Sequence, residues 1–284
     1  MDALSFSGLV PFSGLVLGTS ILAGLLGALT GLGGGVVIVP ALVLLFKVDI
    51  RYAIGASLVS VIATSSGAAA AYVREGLSNI RIGMFLEVAT TLGALLGAYL
   101  TAKVSSHWIA MIFGVALLYS AYSSFRQKGD HVTAGKPDPL AVKLKLEGNY
   151  PASSGEQHYT AQHVPLGFGI MFGAGALSGL LGIGSGAVKV LAMDQAMKLP
   201  FKVSTTTSNF MIGVTAAASA GIYLARGYID PALAMPVMLG VLLGSMIGSR
   251  LLLKAQVATL KIIFVVVIVA LGIEMIFNGA TGRI

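Results

Sequence analysis

The sequence has no cysteine and a single tryptophan among 284 residues, and only 10% of its residues are charged. Without thiols, disulfides and thiolate metal sites are excluded, although the compartment is not thereby fixed. With 56% hydrophobic residues and a mean hydropathy of +0.90, so few charges cannot cover the surface of a water-soluble domain. Strand-period alternation of apolar and polar residues is also missing, which argues against a β-barrel. The net charge of +7 comes without any compact basic domain, so nucleic acid is not implied as a partner. An excess of Lys and Arg in the loops on one side of a membrane accounts for it.

What is present is a series of apolar runs long enough to cross about 30 Å of hydrocarbon as helix. They lie at 9–30, 52–73, 82–102, 108–125, 165–181, 205–224, 231–253 and 259–277. Two shorter apolar pieces, 33–46 and 184–197, follow the first and the fifth run. Each is about 21 Å long as helix, short for a span. The start, MDALSFSGLVPFSGLV, lacks a basic n-region and leads straight into a glycine motif, so it reads as a retained helix rather than a cleaved signal.

Shifting the sequence by 151 residues lays GLGGGVVIVPALVLLFK on GIGSGAVKVLAMDQAMK without a gap. Gly31, Gly33, Gly35 and Lys47 meet Gly182, Gly184, Gly186 and Lys198. The register continues through Ser57 and Ser208, Thr64 and Thr215, Tyr72 and Tyr223, Gly93 and Gly244, Gly97 and Gly248. About 16 of 70 aligned pairs are identical, too many in one register for shared hydrophobicity. The chain therefore reads as a membrane repeat over 1–125, a polar inter-repeat loop over 126–164 and a second membrane repeat over 165–284. The expected fold is an all-α membrane protein of two repeats, each of about four long helices plus a short broken or re-entrant helix. In the loop, AVKLKLEG alternates apolar and charged residues and predicts a short strand or hairpin. Its histidines, His131, His158 and His163, lack metal-ligand spacing and read as loop residues, so no metal site and no cofactor are expected.

Counting Lys and Arg places Arg74, Arg81, Arg126, Lys128, Lys136, Lys143, Lys145, Lys198, Lys202, Arg250, Lys254 and Lys261 on one side. Lys47, Arg51, Lys103, Arg226 and Arg283 fall on the other. The first side is expected to be cytoplasmic, with both termini outside and the long loop inside. An odd number of crossings per repeat inverts one repeat relative to the other, the plan of many secondary transporters.

The glycine motifs admit two readings. Gly27, Gly31 and Gly35 are spaced by four, as are Ser178, Gly182 and Gly186, which suits a smooth stripe where another helix packs closely. A stripe leaves Gly33, Gly34 and the following Pro40 unexplained. Alternatively the cluster unwinds the helix, and the free N–H groups of the next half-helix form an anion cradle. Paired breaks at membrane depth in inverted repeats point to a midplane binding site, and that reading is adopted. The candidate substrate residues are Gly33, Gly34 and Gly35 in the first motif and Gly184, Ser185 and Gly186 in the second.

Lys189 stands three residues after the second motif. A cation in the first turn of a helix opposes the helix dipole unless an anion accompanies it, so Lys189 is a candidate anion ligand. The plainer reading pairs it with Asp194 or lets it reach the surface. The helices after the short pieces are hydroxyl-rich, and Ser57, Ser208 and Asn209 are candidate neutral donors to an oxyanion. Ser and Thr in membranes also satisfy helix carbonyls. Glu87, opposite Met238 in the other repeat, either couples transport to protons or reaches the membrane interface. Acid pairs, His or Cys for chemistry at membrane depth are lacking, so an enzyme is not expected.

The paired glycine motifs resemble those of the sulfite exporter TauE/SafE family of membrane transporters. The first motif, Gly31, Gly33, Gly34, Gly35 and Pro40, matches fully. The second keeps Gly182, Gly184 and Gly186 but has Ser185 for glycine and Leu191 for proline, and VSTTTSNFMIGVTAAASA is similar to the matching stretch of that family. The resemblance implies secondary transport of sulfite, thiosulfate or a sulfonate across the cytoplasmic (inner) membrane, by alternating access around a midplane site. An anion channel, or a carrier for a non-sulfur anion, is the alternative. Oligomeric state is left open.

Overall fold

A computed structural model describes residues 6–30, 34–74, 78–126, 138–152, 155–252 and 257–284. Among them are eleven helices and one two-stranded hairpin. The first five helices are α1 (Phe6–Thr30), α2 (Gly35–Phe46), α3 (Ile50–Arg74), α4 (Ile80–Leu100) and α5 (Ser106–Arg126). After α6 (Pro139–Leu144) and strands β1 (Glu147–Ala152) and β2 (Gly155–Thr160) come α7 (Val164–Leu181), α8 (Gly186–Leu191), α9 (Phe201–Ala225), α10 (Pro231–Leu252) and α11 (Val257–Ala280).

The fold is all-α, and each of the eight apolar runs coincides with one long helix to within a few residues. Four stretches are long and apolar enough to cross a membrane among the described residues: Ile80–Leu100, Val164–Leu181, Phe201–Ala225 and Pro231–Gly248. Shorter apolar stretches lie at Pro11–Gly27, Ile50–Ser66 and Val265–Ala280. On α4, Met84, Val88, Leu92, Leu96 and Tyr99 are exposed at helical spacing, opposite a buried face of Leu86, Ala89, Ala94 and Ala98. A large exposed apolar stripe of this kind is a face for lipid.

Helices α2, α3, α4 and α5 begin at Gly35, Ile50, Ile80 and Ser106, and α8, α9, α10 and α11 begin 151 residues later in each case. The packing follows the same correspondence. α1 packs on α10 and α7 on α4; α3 packs on α9, and α5 on α11. Small residues set the closest crossings: a Cβ on Gly175 or Gly179 would run into the backbone of Thr90 or Ala94, and one on Gly93 or Gly97 into Phe172 or Ala176. Backbones this close are the product of glycine at four-residue spacing.

Polar contacts gather at two ends of the bundle. At one, Arg51 donates to the carbonyls of Thr101 and Val104, and Arg226 to that of Ala98. At the other, Asn79 donates to the Glu147 carbonyl and Tyr159, Arg81 to the Lys145 carbonyl, and the Val164 N–H to Asp138. Here the structure corrects one expectation. The segment AVKLKL is not a strand but mostly helix α6, because Asp138 caps it by accepting from Leu140 N, Pro139 opens it, and Lys145 ends it with φ of 52°. The hairpin starts just beyond, and its Tyr150 and Tyr159 are buried against the helix ends.

Candidate functional site

Both short helices turn back toward the end from which the preceding long helix set out. Phe12 near the start of α1 meets Phe46 at the end of α2 with ring centroids 5.7 Å apart. Gly167 near the start of α7 lies against Met197, whose carbonyl accepts from Gln162 N at 3.0 Å. Each pair is thus a helical hairpin. The twin lysines close both, Lys47 with φ of 54° and Lys198 with φ of 56°. The second return is not one uniform helix: after six α-helical residues it widens into a π-helical turn, Ala192–Ala196.

The tip of the second hairpin is broken backbone. Gly182, Gly184 and Ser185 take left-handed φ values of 67°, 72° and 48°. Two glycines meet that demand without cost; Ser185 carries strain in the same region. In the first tip Gly34 accepts from the N–H groups of Val37 and Ile38 as α2 begins. Gly33 lies outside the described residues.

The two tips touch. A Cβ on Gly35 would sit 2.6 Å from Ser57 Oγ and 3.2 Å from the Gly182 carbonyl oxygen. Ser57 donates its hydroxyl to that same carbonyl at 2.8 Å, joining the first repeat to the second motif. Its twin Ser208 makes a longer bond of 3.4 Å to the Gly186 carbonyl, within its own repeat. Asn209 is half-buried on the same turn of α9. Beside the tips is a cavity of about 330 Å³. Val36 from the first turn of α2 and Ser185 and Gly186 from the start of α8 line it, with Ile112, Tyr119 and Leu177 among its walls. Ser185 Oγ is buried there with no hydrogen-bond partner.

Lys189 is fully buried, so it does not reach the surface. It is not among the residues that line the cavity, and its ammonium donates to Thr215 Oγ1 at 2.6 Å. Thr215 Oγ1 lies 2.7 Å from Glu87 Oε1, which also accepts from Thr91 at 3.1 Å. Glu87 is 5% exposed, inside the bundle rather than at its interface, and its Oε2 has no partner. Two residues singled out separately in the sequence therefore form one charged centre bridging α8, α9 and α4. Thr215, the hydroxyl between them, was legible only as one of many in α9.

A bundle of long apolar helices with a lipid-facing stripe, two helical hairpins meeting tip to tip and a buried Lys189–Thr215–Glu87 centre defines a multi-pass membrane protein. The profile of the family described as Sulfite exporter TauE/SafE matches residues 16–275, and the chain belongs to that family. It is 28% identical to the "Probable membrane transporter protein YunE" of Bacillus subtilis, over 91% of this chain and 95% of that one. It is 27% identical to the "Probable membrane transporter protein YdhB" of the same organism, over 83% and 89% of the two chains. A "Probable membrane transporter protein" of Xylella fastidiosa is 25% identical over 90% and 93%. No solved structure matches. The chain is a membrane transporter.

Proposed function

We propose that the protein is a secondary carrier of sulfite or a related sulfur-containing anion across the cytoplasmic membrane, with the substrate held where the two hairpin tips meet. The observation that carries this reading is the contact between the motifs: Gly35 against the Gly182 carbonyl, with Ser57 bridging. Broken backbone at membrane depth belongs beside a cavity, and this one has the opening turns of two half-helices and the unpartnered Ser185 hydroxyl in its wall. Gly34, Gly35, Gly184, Ser185 and Gly186 shape the site, and Ser57, Ser208 and Asn209 supply hydroxyl and amide groups around it. The buried Lys189 provides the positive charge, and Glu87 the coupling to protons.

Inverted repeats that share a central site support alternating access, one repeat rocking against the other. The correspondence of helix starts at 151 residues supports the repeats, with 126–164 as the loop between them. The end holding Arg81, Lys143, Lys145 and Lys198 is the cytoplasmic one, because it collects most of the Lys and Arg.

The test is counterflow of radiolabelled sulfite into proteoliposomes preloaded with unlabelled sulfite, with thiosulfate, sulfate and small sulfonates as competitors. Saturable counterflow is expected, and the strongest competitor names the substrate. Uptake that is linear in concentration, without counterflow, would mean a channel, and no uptake with any of these anions would remove the sulfur-anion reading.

A further inference from the structure

The hydroxyl of Thr215 stands between two buried charges. It accepts from Lys189 Nζ, and its own proton has two possible acceptors, Glu87 Oε1 at 2.7 Å and the Met211 carbonyl at 2.9 Å. A hydroxyl has one proton, so it serves Glu87 or the helix carbonyl, never both. We propose that Thr215 is the positioning residue that ties proton uptake to anion binding: it holds Lys189 toward Glu87 while Glu87 is ionised, and releases Lys189 to the anion once Glu87 is protonated. This rests on the anion-carrier reading of the same site.

The sequence of events balances. A proton from the aqueous phase on one side adds to Glu87, at the Oε2 oxygen that has no partner. The carboxylate charge that opposed the ammonium is gone, and the Thr215 proton turns to Met211. Lys189 is then a buried cation without a counter-ion, a state costing several kcal/mol that an arriving anion relieves. One negative charge has been exchanged for another, and the centre is neutral before and after. Loss of the proton to the other side restores the Glu87 charge and expels the anion. Coupling is thus one proton per unit of anion charge held by Lys189.

Among the described residues, the helices packed against α4 at Glu87, α7 and α9, bring no other charged side chain to it at this depth. α7 has no ionisable residue from Val164 to Leu181, α4 none but Glu87 between Arg81 and Tyr99, and α9 none between Lys202 and Tyr223. Asp194, on the π-helical turn beyond Lys189, is half-buried near the end of the hairpin. Lys189 is the charge linked to Glu87, through the Thr215 hydroxyl.

The positions that match these three across the 151-residue register supply an internal control. The positions matching Lys189, Thr215 and Glu87 (as Met238 of the second repeat matches Glu87) are Ile38, Thr64 and Met238. There Thr64 simply bonds back to the Ser60 and Val61 carbonyls of its own helix, at 3.0 and 3.2 Å. The helical framework is therefore built without the charges, and the charged centre is an addition on one side only.

The test compares wild type, Thr215→Ser, Thr215→Val and Glu87→Gln in sulfite counterflow across a range of pH, equal on both sides of the vesicle. Because sulfite itself takes up a proton in this range, each profile is read against wild type. The account expects apparent affinity in wild type to rise as pH falls, by up to about tenfold per unit for one proton. Thr215→Ser keeps that profile, whereas Thr215→Val and Glu87→Gln lose the protein's part of it while still binding. A Thr215→Val protein with the wild-type profile overturns the proposal. A second readout needs no substrate: the Tm of the detergent-solubilised protein. The link exists when Glu87 is ionised, so the Tm difference between wild type and Glu87→Gln changes with pH as Glu87 titrates, and Thr215→Val shows a smaller change. Parallel Tm curves for all variants overturn the proposal even if sulfite is not carried, in which case the missing counterflow counts against the carrier reading alone.

Discussion

Ser57 on α3 donates its hydroxyl proton to the carbonyl of Gly182, 125 residues away, at 2.8 Å. This bond joins the two halves of the chain at the broken backbone, where a carbonyl released from its helix needs a donor. Ser57→Ala is expected to destabilise by about 1–3 kcal/mol, the cost of leaving a buried acceptor without that donor. Ser208→Ala removes a bond of 3.4 Å inside one repeat and is expected to cost less than about 1 kcal/mol. Thermal unfolding of the two variants in one detergent checks the order; equal losses would mean that Ser57 does not join the repeats.

Glycines on one helix separate into two kinds. On α7, a Cβ at Gly175 would collide with the Thr90 backbone, whereas at Gly173 it meets nothing within 4 Å. Gly175→Ala should therefore push α7 from α4 and lower stability by at least about 1–3 kcal/mol. Gly173→Ala should be neutral or stabilising by up to about 1 kcal/mol, from helix propensity alone. Size-exclusion profile and Tm distinguish the two.

Much of this was readable in the sequence because a bilayer asks for one long apolar run per helix. Runs such as 82–102 and 231–253 needed little more than hydropathy to be found. The 151-residue register also marked where the second hairpin breaks, through Gly182 and Gly184, which the structure holds at positive φ. What could not be read is partnership across the bundle. Lys189 and Glu87 lie about a hundred residues apart in the chain, and no spacing rule connects them. The Gly93, Gly97, Gly175 and Gly179 pattern announces close packing without saying that α4 and α7 are the pair. Helix α6 was misread because a short segment of alternating residues suits either structure, and the Asp138 cap decided it.

Breaking the charged centre on one side should cost more than removing it whole. Lys189→Ile leaves Glu87 buried without its cation, and Glu87→Met leaves Lys189 without its anion, each by about 3–5 kcal/mol. The double variant carries at each position the residue that stands at its 151-residue match, Ile38 for Lys189 and Met238 for Glu87, and should recover much of that loss. A double-mutant cycle on denaturation measures it; simple additivity would mean that the two charges do not interact. Transport should be lost in the double variant even where stability returns.

Ser185 occupies a left-handed position with φ of 48° where the first motif has Gly34. Ser185→Gly removes the strain and is expected to stabilise by about 1 kcal/mol. It also deletes the unpartnered hydroxyl beside the cavity, so anion affinity should fall while Tm rises. Tm and sulfite affinity measured on the same preparation check this opposition, which a purely structural serine would not produce.

The native chain has no cysteine, so Ser185→Cys carries a single thiol at the meeting point of the tips. The most direct measurement of the central claim is the rate at which a small membrane-impermeant thiol reagent modifies that residue in proteoliposomes, with and without saturating sulfite. The account predicts modification that sulfite slows at least about tenfold, as expected if the anion fills the cavity for most of the time. Modification at an unchanged rate, in a variant that still catalyses sulfite counterflow, would contradict a substrate site between the two glycine motifs.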